Sequence, residues 1–403
     1  MSSEVRRWRW LVLLLAVVVA GIGVGLWRWP RTTPPAEPPS PELAAADPEV
    51  REAITAAQNK VRQQPNDGAA WGRLGMVLLA HDFHDEAERS FAQAERLDSA
   101  DGRWPYLRGL NLILTDPDAS IPCLQRAAER WGNHPLAPRL RLAETLLNQG
   151  RLDEAELHLE QARQAEQHHA RVQLSLGRLA VLRGQWRSAL EYLEPCTEDL
   201  HSRRLAHRLR AEVWTRLGEP DKAREEQRQA AEAPKDQSWP DPFVEDVLRL
   251  RRGLSIRLQQ ATHLFAVQNV QQALMLLEET IQRYPHATAA RLLLGEFWRR
   301  LGRDEAAEQA FAEAVRIDPD SPDAWFRLGC IQASRGRPRA AADSFRHTIR
   351  LKLDHADAHI NLGHCLKEVG DAAAAADAFR AALRCRPDYE RARQALREMD
   401  KKK

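Results

Sequence analysis

Hydrophobic and polar positions follow two different rhythms along the 403 residues of the chain. Near the start the apolar run is unbroken: no charged residue occurs from Leu11 to Leu26. With Trp10 and Trp27 added, a helix there would span roughly 27 Å, close to the hydrocarbon thickness of a bilayer. Trp8, Trp10, Trp27 and Trp29 bracket the run, where amphipathic rings favour the membrane interface. Residues 1–29 therefore predict a single transmembrane anchor. A cleavable signal peptide is the competing reading, with Val18 and Ala20 at a cleavage site. The run continues past Ala20 and closes on a second Trp pair, which favours an uncleaved anchor. Arg6, Arg7 and Arg9 precede the span, and Arg28 and Arg31 follow it. That bias points to a cytoplasmic N-terminus with the remaining mass outside the cytoplasm. The proline-rich residues 30–48 predict an extended, semi-rigid linker.

Beyond the linker the apolar positions recur at helical spacing, and the pattern itself repeats. PDSPDAWFRLG, beginning at Pro319, returns as LDHADAHINLG, 34 residues later. In blocks of 34 from Gly68, starts fall at Gly68, Gly102, Leu136, Ala170 and Arg204, then at Leu254, Thr288, Pro322 and Ala356. The eighth place is Gly or Ala in all nine blocks, from Gly75 to Gly363. The twentieth is Ala in eight, with Ile121 the exception, and the twenty-seventh is always small. Place twenty-four is Phe or Leu in seven. Trp71 and Trp325 hold place four, Trp214 and Trp298 place eleven, and Pro285, Pro319 and Pro387 close their blocks. Small residues let two helix backbones approach, large neighbours fill the gaps, and the proline ends the second helix of a pair. One pair cannot bury its apolar face, so blocks must stack.

These places resemble the tetratricopeptide repeat (TPR) family, W-x2-L-G-x2-Y…A-x3-F…A…P over 34 residues. The resemblance implies an all-α solenoid of paired antiparallel helices, A and B. Residues 49–67 keep the same frame and read as a lone capping helix. Residues 68–237 hold five repeats, 254–389 four more, and 390–403 a charged capping helix and tail. Between the two sets stand sixteen extra residues, 238–253, SWPDPFVEDVLRLRRG. Phe243, Val247, Leu250 and Leu254 share a helical face, so a lengthened helix running into the next helix A is expected. The second block matches least, with Pro105 at place four and TDPDASIP in its turn, and local irregularity is expected there.

Charge and chemistry narrow the function. Lys and Arg number 59 against 57 Asp and Glu, a net charge of +2 that carries no nucleic-acid signature. Five widely spaced cysteines form no C-x-x-C and read as small buried residues. No phosphate-loop, nucleophile-elbow, zinc-protease or dinucleotide motif occurs, so no catalytic residue, metal or cofactor is assigned. His355, His359 and His364, and the pair His168–His169, would need three or four converging ligands to hold a metal. His359 stands instead at the place of Trp325, and His355, His168 and His169 at block junctions.

By the same resemblance, places two, five, six, nine, twelve and thirteen of helix A line the concave face. They hold eleven positive residues against six negative. Candidate partner-binding residues are Arg141, Arg178, Arg208, Arg299, Arg300, Arg327, Asn361 and Lys367, together with Trp239 in the insertion. Arg299, Arg300 and Arg327 should share one stretch of surface, where their mutual repulsion would favour an acidic partner. The alternative is an incidental bias of solvated helix faces. Two subtypes are absent: place nine lacks the Asn of a chaperone-type carboxylate clamp, and only Asn361 matches the Asn ladder of the sugar-nucleotide transferases. The function expected is a membrane-anchored scaffold that holds a protein or peptide segment, with an acidic one favoured. The rival is an accessory subunit, or an enzyme with its site in the groove.

Overall fold

The computed structural model describes residues 36–400, and all regular structure among them is helical. The span expected at Leu11–Leu26 lies outside the described residues. Among those described, no helix is long and apolar enough to cross a membrane.

The chain forms two compact units. The first takes in residues up to Ala46 and Val50–Arg251, the second Asp47–Glu49 and Arg252 onward. Helix α1 (Pro48–Gln63) is followed by α2 (Gly68–Ala80) and α3 (His84–Leu97), then α4 (Arg103–Leu112) and α5 (Pro117–Trp131). Next come α6 (Ala137–Asn148) and α7 (Leu152–Ala165), α8 (Ala170–Leu182) and α9 (Trp186–Leu193), and α10 (Arg203–Arg216) and α11 (Pro220–Glu232). A short α12 (Pro242–Leu248) completes the first unit. The second unit stacks α13 (Leu254–Ala266) and α14 (Val270–Arg283), α15 (Thr288–Arg300) and α16 (Asp304–Ile317), and α17 (Pro322–Ser334) and α18 (Pro338–Leu351). It ends with α19 (Ala356–Val369), α20 (Ala372–Cys385) and α21 (Glu390–Asp400).

Each pair closes on the small residues of its frame. The place-twenty alanines Ala87, Ala155, Ala189, Ala273, Ala307, Ala341 and Ala375 are fully buried. Place-eight glycines receive the large residue of the partner helix. A β-carbon on Gly75, Gly295, Gly329 or Gly363 would stand within 2.8 Å of Phe91, Phe311, Phe345 or Phe379 respectively. Place four explains the opening pair of segments. Trp71 Nε1 donates to the Pro65 carbonyl at 2.9 Å, and Trp325 Nε1 to the Pro319 carbonyl at 2.8 Å. His359 Nε2 lies 3.1 Å from the Leu353 carbonyl, six residues back in the same way. The imidazole does the indole's work.

A further regularity sits at place fifteen, between helices A and B, where six glycines from Gly150 to Gly370 have positive φ. Asp82 and Gln268 take the same conformation at that place, with φ of 64° and 66°. The second repeat departs from it: Asp116 has φ −146° and caps α5, which starts with Pro117 and carries Pro122 inside. In the fourth repeat Pro195, which has no N–H to donate, ends α9 in a 3-10 turn, Glu194–Thr197.

The lengthened helix expected across the insertion is not formed. α12 ends at Leu248, and Gly253 at φ 108° separates it from α13. A left-handed residue cannot carry an α-helix through. Within the second unit, the Asp47 carboxylate caps the new start instead, accepting from Leu254 N at 2.9 Å and from the Tyr284 hydroxyl at 2.8 Å.

Candidate functional site

In the second unit, α15 and α17 lay their helix-A faces side by side around a cleft of about 430 Å³. Glu296, Arg299, Phe326, Arg327, Cys330 and Ser334 line it. Arg299, Arg300 and Arg327 do converge, as their places imply, but the repulsion expected among them is already relieved. Glu296, at place nine, accepts from Arg299 Nη2 at 2.7 Å and Arg300 Nε at 2.9 Å. Arg327 Nη1 is 3.7 Å from the same carboxylate, while its Nε donates to Asp323 at 3.0 Å. The Arg299 hydrogen bonds, opposed by partial burial and joined by those of Arg300, pull the Glu296 pKa down to about 2. Asp304 also lines the cleft and acts on Arg299, so three cations face three carboxylates and their charges cancel. These pairings leave the Nη1 and Nη2 fork of Arg300 with no partner among the described residues, and Arg300 is 59% exposed.

The other candidates of this unit stand apart from the cleft's charges. Asn361 donates weakly to Cys330 Sγ at 3.7 Å, and Lys367 pairs with Glu398 of α21 at 3.6 Å. Burial pushes the Cys330 thiol up to about 11, so it stays protonated and unreactive at neutral pH.

In the first unit the corresponding face is covered by the chain itself. Val247 of α12 is buried in one apolar cluster with Leu79, Leu107 and Leu110, which hold places twelve, six and nine, and Val244 and Leu248 line a cleft with the same leucines. The Phe243 ring stacks on Trp131 at 4.2 Å and meets Tyr106 edge-on at 5.3 Å. Asp241 caps α12 through Phe243 N and Val244 N and accepts the Tyr106 hydroxyl. Arg141 is 3.9 Å from Asp241 and 3.5 Å from Glu144. Arg171, only 2% exposed, donates twice to Glu144 at 2.7 Å. Burial alone would raise the Glu144 pKa, but the Arg171 hydrogen bonds prevail and lower it. Burial, then the Asp241 charge, drives the Tyr106 phenol up, so it remains a donor.

Arg141 is thus committed to this buried network. Trp239 is equally occupied: half-buried, it stacks on His201 at 4.9 Å beside Leu174 and Leu209. Arg178 donates to Asn148 at 2.9 Å, and Arg208 is exposed with no partner among the described residues. Tyr106 and Asp241 were not singled out by the sequence, and Glu144 and Glu296 entered only as two of the six negative residues on the helix-A face. For Asp241 a signal existed, since an Asp ahead of Pro-Phe is a helix-capping pattern.

Of the histidines singled out in the sequence, His355, His359, His364 and His169 have structural partners. His355 accepts from Ala358 N at 3.1 Å and His169 from Arg171 N at 3.2 Å, both capping helices. His364 packs its edge on Phe379 at 5.1 Å. Among the described residues no group of three or more His, Cys, Asp or Glu side chains is placed to hold a metal ion.

Comparison with known proteins agrees with this architecture. Two family models, both described as tetratricopeptide repeat, match residues 174–238, 258–322 and 326–390, and residues 114–179. No curated protein matches the chain. Among solved structures, MamA is 21% identical over 35% of this chain and 82% of its own, with a TM-score of 0.34. YrrB, described as a TPR protein with an unusual peptide-binding site, is 14% identical over 68% of this chain and 97% of its own, TM-score 0.27. The first TPR of Spaghetti (RPAP3), bound to an HSP90 peptide, is 14% identical over 28% of this chain and 90% of its own, TM-score 0.28. The family matches take in more than half of the chain and fall on the helix pairs described above, so the chain belongs to the tetratricopeptide repeat family.

Proposed function

We propose that the chain is a non-enzymatic scaffold, anchored in a membrane by residues 1–29, that holds a protein or peptide segment in the cleft between α15 and α17. The observation that carries this is the free guanidinium fork of Arg300. Glu296, which lines the cleft, fixes the Arg300 Nε, and the exposed Arg300 keeps its Nη1 and Nη2 donors without a partner among the described residues. Such a fork matches a carboxylate bidentately, whereas Phe326 offers apolar surface to a neighbouring side chain. The partner segment is therefore acidic, with an apolar residue close to its carboxylate. Glu296 serves to gather the arginines beside the cleft by offsetting their mutual repulsion.

The test is photo-crosslinking in cells. A crosslinker replacing Ser334, which lines the cleft, should capture a partner, whereas one replacing the exposed Arg346 on α18 should not. Arg300→Gln should reduce capture about tenfold, the order expected for a lost charge-assisted pair. Equal capture from both positions, or capture indifferent to Arg300→Gln, would rule out the cleft as the docking site.

A further inference from the structure

The insertion behaves geometrically like a bound peptide rather than like a repeat helix. α12 has seven residues, too few to hold helical form unaided. Residues 234–241 before it lie outside regular structure. Its hold on the repeats is of two kinds. The carboxylate of Asp241, 3% exposed, takes the Tyr106 hydroxyl, and Phe243 fills the angle between Tyr106 and Trp131. Farther along, Val247 and Leu250 are buried in one apolar cluster with Leu107, against which Leu79 and Leu110 pack, and Val244 and Leu248 border a cleft lined by the same three leucines. Leu248 is still 47% exposed, and the cleft beside it measures about 360 Å³. An acidic anchor, an aromatic two residues on and an apolar stripe after it make up a recognition pattern.

We propose that the surface of the first three repeats that carries Tyr106, Leu107, Leu110 and Trp131 is a peptide-binding site for short helical segments that open with Asp-Pro-aromatic, and that residues 241–250 are its resident, exchangeable ligand. The proposal is separate from the α15–α17 cleft and survives if that reading fails. The specificity follows from the fit. A segment lacking the carboxylate leaves the Tyr106 hydroxyl unpaired, and one lacking the aromatic ring leaves Trp131 without its stacking partner. The occupant raises the threshold for any outside ligand, because a competitor must first displace a segment held at high effective concentration.

A fluorescent peptide of residues 238–250, SWPDPFVEDVLRL, is the probe, and the full-length chain is its target. The probe should bind the Asp241→Ala/Phe243→Ala variant at least tenfold more tightly than the unaltered chain, since that variant's own segment has lost both anchors. Adding Tyr106→Phe to the variant should weaken the probe at least tenfold, by removing only the hydroxyl. Equal affinity for the unaltered and double-variant chains overturns the proposal, as does no binding to a double variant of native helix content. Should the double variant fail to fold, hydrogen exchange in the unaltered chain decides alone. Amides of Val244–Leu248 should exchange at least tenfold faster than those of Leu74–Leu78, and equal protection would make α12 a fixed part of the core.

Discussion

A β-carbon added to Gly329 would lie 2.8 Å from the Phe345 ring, and the same crowding recurs at Gly295 and Gly363. Gly329→Leu should therefore destabilise the second unit by about 1–3 kcal/mol, the usual scale of overpacking. Denaturant melts would read the loss, and unchanged amide protection around Gly329 and Phe345 would remove the frame from under it. Glu296 gives a second prediction at this scale. Its pKa falls from an ordinary 4.5 to about 2 on folding, so its ion pairs stabilise fully above pH 4.5. That stability is lost as pH drops through the interval toward 2. The difference in stability between the unaltered chain and Glu296→Gln should be constant near neutrality and shrink toward pH 2. A difference independent of pH would mean that the carboxylate is not charge-paired. Gly329 was legible in sequence because its place recurs in every block. The pairing of Glu296 was not, because a count of charges on a face does not say which guanidinium an oxygen meets.

At the level of helix pairs, the A–B turn depends on one left-handed residue. Glycine adopts it freely, whereas a residue with a side chain gives up about 1–2 kcal/mol there. Gln268, at φ 66°, is the expensive case. Gln268→Gly should raise stability by about 1 kcal/mol, opposite in sign to most glycine substitutions. Gly336→Ala should lower it by about as much, although a β-carbon there would touch nothing within 4 Å. Thermal melts of the two variants moving in the same direction would refute the backbone account. The repeat frame was readable because each helix pair is written locally, within 34 residues. The insertion misled the reading for the same reason. Phe243, Val247, Leu250 and Leu254 keep a helical period across Gly253, and period alone does not register a single left-handed break. Nor does it reveal that α12 lies against Tyr106 and Leu110, well over a hundred residues earlier.

Across the whole molecule, positive and negative side chains nearly cancel, and the structure shows why that balance matters locally. Several arginines at the helix-A face are paired in cis, Arg171 with Glu144 and Arg299 and Arg300 with Glu296, whereas Arg208 is not. Long-range attraction to a charged surface is therefore weak, and the membrane association proposed here must come from the apolar run Leu11–Leu26. The orientation proposed with it, N-terminus in the cytoplasm, rests on the excess of Arg6, Arg7 and Arg9 ahead of the run. A reporter that matures only outside the cytoplasm, fused after Lys403, should be active, and the full-length chain should stay with membranes through an alkaline wash. High salt should not release it, because burial of an uncharged helix is not screened as surface charge pairs are. A shortened, soluble product beginning near Gly21 would identify the segment as a cleaved leader. A reporter active only in the cytoplasm would reverse the orientation, and place partner capture by the Arg300 cleft on the cytoplasmic face.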